Sequence, residues 1–240
     1  MVPKTFLRKK APLSQRFQNI KPLTMRFQSY KASSILIALC CFCTLSCKLT
    51  FNPLFDGETF KGWEGDTIKT WKIIQGEIRG GSLSEIVPHN DFLCTTNTYE
   101  NFVLKLKFKL EGSEGFINAG VQFRSKRLSN PAYEMIGYQA DLGNNYYGVL
   151  YDESRRNIVL QGPDSVATSQ IVKSKDWNDY EIRAKGKRIQ IYLNGKQTVD
   201  YTEADPAIVQ QGVIGLQIHG GGKALASYKD ISIRKKAPWR

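Results

Sequence analysis

Along Phe102–Leu110 every even-numbered residue is apolar, and three of the four odd-numbered ones are lysines. A period of two puts successive side chains on opposite faces, so this stretch predicts an antiparallel strand with one buried face and one wet face. The same rhythm returns where Tyr180, Ile182 and Ala184 alternate with Glu181, Arg183 and Lys185. It returns again in Arg188–Leu193 and Lys196–Tyr201, two alternating runs separated by Asn194-Gly195. Asn-Gly tolerates the positive φ that both central residues of a tight hairpin turn need, so these runs predict a hairpin. Val213–His219 and Ala226–Ile233 supply two closing strands, and no stretch of twelve residues carries helical periodicity. Many short strands with Gly, Asn, Asp and Pro between them predict an all-β sandwich or barrel, and residues 53–236 are long enough for one well-buried core.

The first 46 residues obey different rules. They hold eight basic residues and no Asp or Glu, followed by an apolar run from Ile35 to Leu45 and then Ser46-Cys47. A basic segment, about a dozen apolar residues and a small residue at a cleavage point make a secretory signal. The run is too short to span a bilayer, which takes about 20 apolar residues. The Cys after Ser46 resembles a bacterial lipoprotein signal, which implies Cys47 as the lipidated first residue, residues 47–52 as a short linker, and the lipid bilayer of the cell envelope as a partner. A start at Met25 gives a signal of ordinary length. Export changes the meaning of the charge: the whole chain is +12, but without the eight basic residues of the signal 26 basic residues face 22 acidic ones. A basic arm that is removed binds no DNA, so nucleic acid is set aside as a partner. Four of the five cysteines lie in residues 40–47, which leaves Cys94 as a small buried hydrophobe with no disulfide partner.

Three strands place directional polar groups at spacing two, where a core wants apolar ones. Gln122 and Arg124 share a face in Asn118–Arg124, Gln139 and Asp141 in Gly137–Asp141, and Gln217 and His219 in Val213–His219. Gln, Arg, Asp and His make fixed hydrogen bonds suited to a hydroxyl-rich ligand. His219 also stands beside Gly220-Gly221-Gly222, where backbone can approach a ligand closely. Between the second and third segments, Tyr147, Tyr151 and Glu153 lie in an aromatic stretch of the kind that meets sugar rings, with Glu134 as a further acidic member. His89 follows Pro88 and reads as an exposed loop residue, with a place in the site as the weaker alternative. No metal motif of fixed spacing, phosphate loop or nucleophile elbow is present in the sequence. No cofactor is required, and a divalent cation held by acidic side chains and His219 stays open, as does the oligomeric state.

Ordered from one end of the domain to the other, Leu54-Phe55-Asp56-Gly57, Gly62-Trp63, Asn118–Arg124, Gly137–Asp141, Asp176–Tyr180, Gly215–Gly220 and Tyr228–Ile233 resemble the 3-keto-disaccharide hydrolase domain family. The resemblance covers nearly all of residues 53–235. It implies a concanavalin A-like jelly-roll sandwich of two antiparallel sheets on an exported protein, and cleavage of glycosides already oxidised to a ketone at C3. Such chemistry needs a base, and His219 is the candidate. Arg124 and Gln217 are expected near the enolate or the ring hydroxyls, with Gln139 and Asp141 orienting the sugar. Many members read Tyr-Glu-x-Gln where this chain has Gly137–Asp141, so either Glu134 or Asp141 can fill the carboxylate role. A non-catalytic carbohydrate-binding lipoprotein on the same sandwich is the alternative, since fold alone does not carry function.

Overall fold

The computed structural model describes residues 50–143 and 145–235, all within the unit Cys47–Arg240. The signal segment, the start at Met25, the Cys47 anchor and residue 236 lie outside the described residues. Two antiparallel sheets face each other across the core. The first sheet orders its strands as Lys196–Thr202 (β13), Arg188–Leu193 (β12), Asn178–Lys185 (β11), Phe102–Gly115 (β6), Gly222–Lys235 (β15), Glu77–Gly81 (β4) and Trp71–Ile74 (β3). The short strand Asn52–Pro53 (β1) also pairs with β15, with Asn52 opposite Ile233. The second sheet runs Ile158–Gln161 (β10), Leu150–Glu153 (β9), Met135–Gly143 (β8), Asn118–Arg127 (β7), Val213–Ile218 (β14), Asp91–Thr95 (β5) and Trp63–Glu64 (β2). This is an all-β sandwich, one of the two forms that the alternation predicts, and the jelly roll of two antiparallel sheets that the resemblance implies. The only helix among the described residues is the single short α1, Ser165–Ile171, capped by Asp164.

The alternation decides what lies inside. Leu104, Leu106 and Phe108 of β6 are buried with Tyr180, Ile182 and Ala184 of β11, while Lys105 and Lys107 pair with Glu181 and Asp179 on the outer face. Asn194 and Gly195 turn the β12–β13 hairpin at φ values of 48° and 78°. Val121, Phe123, Tyr138, Ala140, Leu216 and Ile218 form the inner face of the second sheet. Two tyrosines of the first sheet reach across the core to strands of the second. The Tyr228 hydroxyl lies 2.7 Å from the Gln217 carbonyl and 3.1 Å from that of Gly120. The Tyr180 hydroxyl donates to the Asp141 carbonyl at 2.6 Å and accepts from the Gly148 N–H at 2.8 Å.

Candidate functional site

On the face of the second sheet turned away from the core, the register lays the polar residues out in rows. Gln217 stands between Phe92 and Gly120, and Gly120 stands opposite Asp141. In the next row Gly215, Gln122, Gln139 and Tyr151 follow one another across β14, β7, β8 and β9. Glu153 lies opposite Gly137 at the far end. His219 is one residue past β14, and its N–H still bonds the Asn118 carbonyl at 3.1 Å.

A chain of side-chain hydrogen bonds runs through these rows. Ser125 donates to the Gln122 amide oxygen at 2.5 Å, and the Gln122 amide nitrogen donates to Gln139 at 3.0 Å. The Gln139 side chain in turn lies near Asp141 and acts to lower the pKa of its carboxyl. A β-carbon at Gly120 would come within 2.4 Å of the Gln139 side chain, so only glycine lets that side chain cross the strand. Asp141 also accepts from the Asn118 side chain and from the Leu142 N–H, both at 2.9 Å. Burial pushes the Asp141 carboxyl up to about 7 against these two donors, with the nearby Glu153 adding to the rise. Burial, and the charges of Glu134 and Asp152, push Glu153 up to about 7 as well.

His219 is half-buried at the edge of this face. Its Nδ1 meets the Gly220 carbonyl at 2.6 Å, which places the proton on Nδ1 and leaves the Nε2 lone pair free. Phe116 stands edge-on to the imidazole at 4.6 Å, and Tyr146 stands edge-on to Phe116 at 6.2 Å. The loop between β7 and β8 folds back over β7 and β14 to reach β5. Met135 packs on Phe92 and Cys94, the Arg127 guanidinium donates to the Phe92 carbonyl at 3.0 Å, and Glu134 accepts from Asn90 at 3.0 Å. Beyond them Tyr133 stacks on His89, ring centres 4.1 Å apart. Gln217 is fully buried on this face, and neither amide atom has a hydrogen-bond partner in the protein.

The structure thus brings Gln122, Gln139, Asp141, Gln217, Tyr151, Glu153, Glu134 and His219 to one sheet face or its rim. Arg124 and Tyr147 are not on it. Arg124 sits in a β-bulge at φ 51°, where the pairing shifts between Phe123 and Lys126. The extra residue breaks the alternation that would have put it beside Gln122. Its guanidinium bonds the Glu100 carbonyl at 2.6 and 2.9 Å and Gln210 at 2.5 Å, near the core-facing Tyr138. Tyr147 packs against the core and stacks on Phe108 at 6.2 Å. Three residues join the site that the sequence reading left out. Asn118 shares the parity of Gln122, a signal present in the sequence, whereas Phe116 and Tyr146 arrive from loops that carry no such period. Among the described residues no three His, Cys, Asp or Glu side chains are grouped as metal ligands are.

A wider depression of about 680 Å³ lies on the outer face of the first sheet. Its two lysines and one arginine are already engaged, Lys105 with Glu181 at 3.2 Å, Lys107 with Asp179 at 3.5 Å and Arg183 with Glu181 at 2.5 Å, so it offers less to a ligand than the polar face of the second sheet.

The fold is similar to that of solved carbohydrate-active proteins. A candidate glycosyl hydrolase from Parabacteroides distasonis superposes with a TM-score of 0.59 at 18% identity, over 78% of this chain and 94% of that one. The carbohydrate-binding module CBM66 from Bacillus subtilis gives 0.56 at 16% identity, over 72% and 96%. A β-glucanase from Bacillus licheniformis gives 0.50 at 10% identity, over 78% and 98%. At these identities the likeness is one of fold. No curated protein matches the sequence. Residues 50–234, however, match the model of the 3-keto-alpha-glucoside-1,2-lyase-like domain, and the chain belongs to that carbohydrate-active family.

Proposed function

We propose that this domain cleaves glycosides whose sugar carries a ketone at C3, by base-assisted elimination. The observation that carries the reading is the His219 ring, its Nδ1 engaged by Gly220 and its Nε2 free beside a buried polar face. A C3 ketone acidifies the hydrogen at C2. His219 Nε2 takes that proton, and the electron pair moves onto the C3 oxygen as an enolate. Collapse of the enolate restores the ketone, forms the C1=C2 bond and expels the aglycone oxygen from C1. Water adding across C1=C2 then completes a net hydrolysis. A base that works near neutral pH is what imidazole supplies, and hydrogen-bond donors aimed at the enolate stabilise the charge as it forms. The unpartnered amide nitrogen of Gln217 is one such donor. Asp141 and Glu153, each raised to about 7, supply others in their protonated forms. Gln139 and Tyr151 contact the ring, and Gln122 holds Gln139 in place. In this reading the domain works outside the cytoplasm, held at the membrane through Cys47.

The test pairs a chromogenic 3-keto-glucoside with the unoxidised glucoside. Release from the keto compound alone, lost by at least about a hundredfold in His219→Ala with folding intact, is the expected result. Unchanged turnover in that variant would remove His219 as the base. The half-exposed aromatic edge of Phe116, 42% accessible, favours a second reading as a sugar-binding module. Saturable sugar binding with no release from either compound would establish that reading instead.

A further inference from the structure

We propose that His89 is the acid that protonates the departing aglycone, and that the aglycone occupies the cavity His89 lines; this rests on the elimination reading above. The chain has two histidines, and the structure gives them the same setting. His89 Nδ1 meets the Asn90 carbonyl at 2.7 Å, as His219 Nδ1 meets that of Gly220 at 2.6 Å. Each ring therefore has its Nδ1 fixed by the next residue's carbonyl, and Nε2 is the position at which it exchanges protons. The two dipeptides are in direct contact. The Gly220 N–H donates to the Asn90 side chain at 3.1 Å, and a β-carbon on Gly220 would lie 2.6 Å from the His89 α-carbon. Only glycine permits that approach, which sets the two histidine segments side by side.

His89 is also held from above by the Tyr133 ring, stacked at 17°. His89 also lines a cavity of about 300 Å³, with Asp91, Asp66, Lys69, Thr70 and Glu85 among its other residues. That volume is at the lower end for small-ligand sites, and its lining of acids, a lysine and a hydroxyl suits a second sugar or another polar alcohol. The Asp91 carboxyl lines the same cavity as His89 and is held there by the Trp71 indole N–H at 2.7 Å and the Thr70 hydroxyl at 3.0 Å. When the enolate collapses, an alcohol leaves more readily if its oxygen is protonated, and an acid separate from His219 can supply that proton while His219 still holds the one from C2. With His89 in that second role the balance closes: His219 gains the C2 proton, the C1–O bond breaks, and the aglycone oxygen receives the His89 proton. His219 then returns its proton to solvent, and His89 takes one back.

An acid matters in proportion to how poor the leaving group is. The purified protein and His89→Ala would be compared on two 3-keto-glucosides, one with a nitrophenyl aglycone and one with an alkyl or sugar aglycone. The expected loss is about 10²- to 10⁴-fold on the alkyl compound and within about tenfold on the nitrophenyl one. Added imidazole should restore the alkyl rate, and the thermal melt of the variant shows that the fold is kept. Equal losses on both aglycones, or none on either, would overturn the role of His89 while leaving His219 in place. Inactivity of the parent protein on both would overturn the elimination reading and this inference together.

Discussion

Asp141 accepts hydrogen bonds from Asn118 and Leu142, yet burial still lifts its carboxyl from 3.8 to about 7. Between those two values the folded protein keeps a proton that the unfolded chain has released. Stability therefore falls as pH rises through that window and stays lower above it. An amide at this position never ionises, and its oxygen still accepts from Asn118 and Leu142. Asp141→Asn should be more stable than the parent at pH 8 by about 2–4 kcal/mol, at about 1.4 kcal/mol per unit. The difference should shrink toward zero at pH 4. Denaturant titrations across that range check it, and a gap that does not change with pH would show that the carboxyl ionises no differently in the folded state.

The strands that carry the site do not stand alone. β7 and β14 are pinned from the opposite sheet by the Tyr228 hydroxyl, through the carbonyls of Gly120 and Gln217. Tyr228→Phe keeps the ring and leaves both buried carbonyls without that donor, at a cost of about 1–3 kcal/mol. A shift of the urea midpoint to lower concentration would show it, and an unchanged midpoint would mean that the two carbonyls do not need the hydroxyl. The same elements show what the sequence reveals and what it conceals. Gln122, Gln139, Asp141 and Gln217 could be placed on one face from their numbers alone, because an unbroken strand keeps its parity. Arg124 could not. A bulge adds one residue, reverses parity beyond it, and left no turn residue to mark the place; an arginine at positive φ has no signature in sequence. Tyr147 looked like a sugar platform because aromatics serve cores and ligands equally, and only the turn at 145–148 decides which. The β7–β8 loop was opaque for another reason: its path over the site depends on Glu134 meeting Asn90, a contact 44 residues away.

At the scale of the whole molecule the basic excess belongs to the first 46 residues, and the remainder has nearly balanced charge. If Cys47 carries a lipid, its replacement by serine should move the protein from the membrane fraction to the soluble one without altering turnover, as fractionation and assay of both fractions would show. Retention of Cys47→Ser in the membrane would point to one of the neighbouring cysteines or to an uncleaved signal. The first and last strands bear on a separate matter. Asn52 and Ile233 face each other on β1 and β15, in the sheet opposite the site, so the described chain enters and leaves at points about 5 Å apart, the spacing of adjacent strands. A domain with ends so placed is a cassette. It can be spliced into a surface loop of a host protein, or joined end to end with copies of itself, while the mouth of each copy faces away from the seam.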